Sequence, residues 1–327
     1  MSTRPSKTVN IKINSGSARK GRRTDYDVTD RINMEDPDAV NAEVKRIFQN
    51  RYPPADYNTV EQVFRDVIRL FRGEFPGHHG CDTYYHDLRH TLETVLAMAR
   101  MVDGFDASHP YKEQLGSEMA LLGLISGLLH DTGYIRSRYD YRNSSGACYT
   151  TSHIRRSQRF IKRYLPILGL TSQVEAACRL VSLTGLEVKI EKVRFADKKE
   201  RIMGYILGTA DYLGQMSDRI YLEKCRDYLY PEFVAGGVTE ETCRDGTKNV
   251  IYASAEDLLC KTPDFYKYTV KPRLEHDFEA VFEYAAVHFK GRNLYIEEVE
   301  ENIAYMRKVI YAQDFSLLRR CLPKTAI

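Results

Sequence analysis

At 327 residues, with 43% hydrophobic residues and a formal net charge of +3, the chain can bury one large core or two small ones. The charge is uneven: residues 1–23 hold seven basic side chains and no acidic one, leaving 41 basic against 45 acidic residues in the rest. A net-negative body excludes a basic nucleic-acid surface as its main feature, so nucleic acid could be met only through the tail. The seven cysteines are odd in number and never fall in a C-x-x-C pair, which argues against a disulfide framework and a cysteine zinc site. No apolar segment follows the basic N-terminus and no apolar run is long enough to span a bilayer. The sequence therefore predicts a soluble, cytoplasmic protein with no membrane partner.

Residues 1–23, rich in Ser, Lys, Arg and Gly, read as a disordered basic tail, either a solvated end or an arm for acidic partners. Residues 24–54 read as an N-terminal extension, with a short amphipathic helix over Asp38–Gln49 stopped by Pro53-Pro54. From Tyr57 to Arg72, Val60, Val63, Phe64, Val67, Ile68 and Phe71 fall at helical spacing, and the Gly73–Gly77 stretch ends the helix. His78-His79-Gly80-Cys81 follows, a polar loop that could form a pocket rim or a metal site.

His86 and His90 are four apart, which on a helix puts them one turn above each other on one face; that helix is predicted to continue to Val102. The next predicted helix contains Met119–Leu129, apolar or small almost all round and therefore buried, and ends in His130-Asp131. An imidazole and a carboxylate at the end of a buried helix need a partner. A bound cation would satisfy both, and the negative end of the helix dipole favours one there. Gly133 suits the helix stop, and the polar stretch 135–151 reads as a lid or pocket wall.

A further helix is predicted from Thr150–Ser152, with His153, Arg156 and Ser157 on one face. In its first turn His153 is favoured as the neutral imidazole that a metal requires, although a surface role among neighbouring arginines stays open. Arg156 could bind a phosphate oxygen bidentately. A helix over 171–184 and a short β-hairpin or extended loop near 187–195 come next. The helix 198–215 carries Asp211, with Gly204 and Gly208 leaving its face bare for another helix. A carboxylate inside that apolar helix is either a ligand or the partner of a buried arginine. Residues 219–310 read as amphipathic helix that completes the bundle, including Phe278–Phe289 and Ile296–Ile310, and 311–327 as a C-terminal tail.

The ordered set His90, His130-Asp131 and Asp211, with Tyr85-His86 in front and Ala210 beside the last, resembles the HD superfamily of metal-dependent phosphohydrolases over roughly residues 55–310. That superfamily includes the cyclic-nucleotide phosphodiesterases. The run from Ala210 to Lys224 is similar to a bacterial subgroup with largely unassigned substrates. The resemblance implies an all-α, phosphodiesterase-like helical bundle. It implies one or two divalent ions (Mn²⁺, Zn²⁺, Fe²⁺, Mg²⁺ or Ni²⁺) held by His90, His130, Asp131 and Asp211. His153 and Arg156 would then serve a second metal or the substrate phosphate. His86 matches the position of a general acid for the leaving oxygen, with an outer-sphere or packing role as the alternative, and Asp131 would stand beside the attacking hydroxide. The expected activity is hydrolysis of a small nucleotide-like phosphate mono- or diester. The competing expectation is a non-catalytic HD-fold module that binds a nucleotide or metal and signals through its tail or C-terminal half.

Overall fold

The computed structural model describes residues 22–322 except residue 244, so residues 1–21 of the basic tail lie outside the described residues. In chain order the helices are α1 (Pro37–Arg51), α2 (Asn58–Phe71), α3 (Leu88–Ser108), α4 (Gly116–Leu129), α5 (His153–Tyr164) and α6 (Val174–Ser182). They continue as α7 (Lys198–Met216), α8 (Tyr221–Lys224), α9 (Tyr230–Ala235), α10 (Ala255–Phe265), α11 (Tyr284–His288) and α12 (Leu294–Ala312). The fold is all-α. A π-helical turn, Cys225–Leu229, joins α8 to α9, and the two-stranded hairpin β1 (Glu240–Thr242) and β2 (Lys248–Val250) is wholly exposed. Among the described residues no helix is long and apolar enough to cross a membrane.

The hairpin expected near 187–195 is absent; residues 190–192 form a single helical turn. The alternation is real, since Val188, Ile190, Val193 and Phe195 are half-buried between exposed neighbours. With no strand alongside to take its backbone donors and acceptors, an extended segment makes no sheet.

Helix α3 is buried along almost its whole length, enclosed by α1, α4, α7 and α11. Helix α4, apolar all round, packs against α3 and α7 as a buried helix must. The close approach that brings α3 to α7 occurs at Gly214, where a Cβ would come within 3.0 Å of the Thr94 nitrogen and 3.1 Å of the Glu93 carbonyl carbon. The expected bare positions serve other neighbours: Gly204 faces Phe195 and Leu180, and Gly208 takes the ring of Phe278.

The segment before α1 is built into the body by buried ion pairs. Arg22 donates to the Ser217 carbonyl (3.0 Å) and pairs with Glu298 (3.4 Å). Arg89 on α3 gathers Glu35 (2.5 Å), Glu93 (2.8 Å), Asp218 (3.0 Å) and the Thr24 carbonyl (2.8 Å). Arg100, 1% exposed, donates to Asp27 (2.5 Å) and to the Tyr295 hydroxyl (2.8 Å). Arg22 and Arg23, assigned from sequence to the disordered tail, thus belong to the folded protein, Arg23 through Asp30. Residues 24–54 and the stretch around Leu318 are likewise integral, since Val28, Met34, Val40 and Leu318 share one apolar core with α3 and α7.

Taking one partner from a buried ion pair leaves the other charge uncompensated. Asp27→Asn, which keeps the shape and removes the charge facing Arg100, is expected to lower stability by about 3–5 kcal/mol in urea denaturation. A loss within about 0.5 kcal/mol would mean that this pair does not hold the N-terminal segment in place.

Candidate metal centre

Each candidate ligand stands at or near a helix end, where unpaired backbone groups and caps fix its direction. Asp87 caps α3 and accepts from the His90 backbone N–H (2.9 Å), which sets the first turn and with it His90. His130 follows α4; its Nδ1 donates to the Gly127 carbonyl (2.7 Å), so its Nε2 carries the lone pair. Beyond Asp131 the chain tightens into the turn Thr132–Tyr134, with the Thr132 hydroxyl donating to the Leu129 carbonyl (2.8 Å). Ser157 on α5 clamps this turn, donating to the His130 carbonyl (2.5 Å) and accepting from the Gly133 N–H (2.9 Å). Gly133 is required for so close a contact, because a Cβ there would lie 1.9 Å from the His153 carbonyl oxygen. Asp211 comes from α7. Gln215, one turn on, donates to its Oδ1 (3.3 Å) and in turn accepts from the Tyr85 hydroxyl (2.7 Å).

His90 Nε2 lies 3.3 Å from His130 Nε2, 3.3 Å from Asp131 Oδ2 and 3.1 Å from Asp211 Oδ1. His130 Nε2 lies 3.1 Å from Asp131 Oδ2 and 3.8 Å from Asp211 Oδ1. Donors about 2.0–2.2 Å from a shared ion stand about 3.0–3.5 Å apart in tetrahedral or octahedral shells. The buried Asp131 Oδ2 has no hydrogen-bond partner, even with two imidazole nitrogens within 3.3 Å. The groups converge on a common point instead of pairing with one another. His90, His130 and Asp131 thus form a buried group that could hold a metal ion, their ligand atoms all within 4.8 Å of one another. Asp211 Oδ1 reaches both histidines but stands outside that mutual group. No arginine pairs with Asp211 among the described residues, so the salt-bridge alternative raised by the sequence does not apply.

Electrostatics agree with a cation site. Burial depresses the His90 pKa, but the adjacent carboxylates of Asp131 and Asp211 outweigh it and push it up to about 10. His130 is also raised; burial opposes and Asp131 prevails. Burial works to raise the Asp131 pKa, but the imidazoles, led by His130, hold it well below the usual carboxylate range. Without a cation His90 holds a proton in its place, so metal uptake should release it.

The other predicted residues fall in less expected places. His86 is not on α3, which begins only at Leu88, because Asp87 satisfies the helix start better as a cap than as an interior residue. From the preceding loop, the His86 Nδ1 pairs with Glu232 of α9, and Glu232 also accepts from the Tyr85 N–H (3.2 Å). Its ring stacks on Tyr134, centroids 4.4 Å apart and 12° from parallel. His153 stacks on the same tyrosine at 4.7 Å and donates from Nδ1 to the Thr150 carbonyl (2.7 Å). Its Nε2 is 3.9 Å from Asp131 Oδ1, the oxygen not shared with His90, and burial lowers its pKa. Arg156 is no free phosphate arm. Its Nε and Nη2 donate to the carbonyls of Gly133 (2.6 Å) and Ile135 (2.9 Å), and its guanidinium lies 3.4 Å from the Tyr149 ring centroid. His78 is packed with Phe75 and Phe160 instead of joining the metal group.

Four participants escaped the sequence reading: Tyr85, Tyr134, Gln215 and Glu232. Gln215 could have been found from its i+4 relation to Asp211 on a predicted helix. Glu232, 146 residues from His86, carried no local signal.

Metal analysis of the purified protein is expected to find a divalent ion that His90→Ala and Asp131→Asn both lose. Gln215→Ala, which reaches the site only through Asp211, should keep the ion with affinity weakened about 10–100-fold in chelator competition. Retention of metal by His90→Ala would remove this group as the binding site.

No curated protein and no solved structure matches this chain. The model of a family described as Npun_R2479-like matches residues 39–308, from α1 into α12, and so includes the metal group, His86, His153 and Glu232. The chain belongs to the Npun_R2479-like family.

Proposed function

We propose that the protein is a metal-dependent phosphohydrolase of the HD type that cleaves a small, nucleotide-like phosphate ester. The observation that carries this reading is a buried His/Asp group with a carboxylate-held histidine beside it: His86, bound to Glu232, has its ring centroid 5.7 Å from that of His90. A site that only bound a ligand would have no need for a histidine oriented in this way, so the non-catalytic alternative is less well supported.

Two imidazoles and two carboxylates form a nitrogen and oxygen donor set suited to Mn²⁺, Zn²⁺, Fe²⁺, Mg²⁺ or Ni²⁺. His90, His130, Asp131 and Asp211 would hold the ion, with His153 and the second oxygen of Asp131 available to another. When bound, such an ion stabilises charge on a phosphoryl oxygen and makes a nearby water more acidic. The remaining tasks fall to the chain itself. Asp131 and Asp211 accept hydrogen bonds from the attacking water and so orient its lone pair toward phosphorus.

His86 supplies the proton to the leaving oxygen. Because Glu232 occupies Nδ1, the proton to be given sits on Nε2, and stacking on Tyr134 fixes the plane of the ring. Burial works against the charged imidazolium, but Glu232 raises the His86 pKa overall, keeping the proton available. Glu232 is itself buried and held by the Tyr85 N–H, so the pair keeps its geometry without substrate.

With an alkoxide leaving group such as a ribose hydroxyl, loss of that proton donor costs about 10²–10⁴-fold. His86→Ala should therefore keep its metal, lose hydrolysis of such esters by that factor, and lose far less on a nitrophenyl ester. Glu232→Gln should fall between the variant and the wild type on the alkoxide ester. Equal losses on both esters would take His86 out of the acid role. A metal-loaded wild type inert on phosphomonoesters and on cyclic and linear diesters would favour the binding module.

A further inference from the structure

The turn that follows the metal ligands has a second use. Thr132 and Gly133 also line an open cavity of about 280 Å³ between α5 and the loop after α2, to which none of the metal group, His86 or His153 contributes. Along α5, Arg156, Arg159, Phe160, Arg163 and Tyr164 recur at helical spacing and present one face to this cavity, while Ile154, Ser157 and Ile161 turn inward.

The cavity has a basic rim and an aromatic floor. Arg156 is committed to backbone carbonyls, but Arg159 and Arg163 are exposed, and neither has an ion-pair partner among the described residues. No acidic residue lines the cavity. The floor is a ring cluster, with Phe160 centred 5.4 Å from Tyr164, 5.8 Å from His78 and 6.0 Å from Phe75. At the rim Ile167 is 79% exposed, an apolar side chain with nothing over it. His78 donates from Nδ1 to the Pro76 carbonyl (2.9 Å), leaving its Nε2 as an acceptor facing the same ring cluster.

We propose that this cavity binds a small aromatic phosphate of nucleoside-monophosphate size, at a site separate from the metal centre. Two adjacent guanidiniums without counter-charges match the geometry of a phosphate dianion. The aromatic floor matches a heteroaromatic ring, which can stack on or meet edge-on the rings of Phe160 and Tyr164, and the arginine rim adds cation–π attraction to it. A free phosphate would leave the floor in water, and an apolar ligand would leave the arginines unmatched. The volume is near the lower edge of small-ligand sites, about 300–1,000 Å³, which suits one nucleotide.

Calorimetric titration of the full-length, metal-loaded protein with adenosine monophosphate, adenosine and inorganic phosphate tests this. The monophosphate is expected to bind at least about tenfold more tightly than either fragment. Arg159→Ser/Arg163→Ser should lose at least about tenfold of that affinity while metal content and nitrophenyl phosphate hydrolysis stay at wild-type level. Three results would overturn the proposal: no binding of the monophosphate at millimolar concentration, affinity unchanged in the double variant, or inorganic phosphate binding as tightly as the nucleotide. Because adenosine monophosphate is also an ester of the proposed substrate class, the titration is repeated on Asp131→Asn, which lacks the metal: binding that depends on Arg159 and Arg163 is expected to remain there, and its loss would place the ligand at the metal centre instead.

Discussion

Two buried imidazoles, each within 4 Å of both Asp131 and Asp211, leave a group of titratable side chains that must share positive charge from somewhere. Much of the architecture follows from assembling that group. His90, His130 and Asp211 come from α3, α4 and α7, so three helices must pack with their ends in register. The contact at Gly214 lets α7 approach the α3 backbone, and the clamp from Ser157 holds the turn after His130 against α5. Enlarging either contact would push the ligand-bearing segments apart.

A second buried electrostatic network lies one turn from the first. Glu93 follows His90 by three residues on α3, and Asp218 follows the end of α7. Both meet Arg89, and Lys224 reaches them at 3.7 Å and 2.8 Å respectively. Burial and the Asp218 charge together push the Glu93 carboxyl up to about 7, against the pull of Lys224 and Arg89. Such networks contribute little net stability, since desolvation consumes most of the Coulomb gain. Their effect here is geometric: Arg89 ties the segment at Thr24 and Glu35 to the same helices that carry His90 and Asp211. The N-terminal segment therefore braces the metal group from behind.

The opening of the site is arranged around Tyr134. Its buried ring carries His86 and His153 side by side, each with Nδ1 engaged, by Glu232 and by the Thr150 carbonyl. The two imidazoles are driven in opposite directions: Glu232 raises one, and burial lowers the other. One tyrosine thus holds, at neighbouring positions, two imidazoles whose proton affinities are driven apart.

Local pattern was enough to locate the main helices and to single out the buried polar residues that the fold brings together. The spacing of apolar residues located α2, α3, α4 and α7, because a helix that must bury a stripe writes its period into the chain. His130-Asp131 and Asp211 stood out for the same reason, as polar groups in segments otherwise too apolar to carry them. Tertiary structure decided what spacing could not. The choice of Asp87 as a cap moved His86 off the helix, and the absence of a neighbouring strand turned the 187–195 alternation into a half-buried loop. Arg156 met carbonyl groups that only the fold put in its way, and Glu232 reached His86 across 146 residues. Periodicity reports which face of an element is buried, but not which other element buries it, so pairings between distant segments form only when the chain packs.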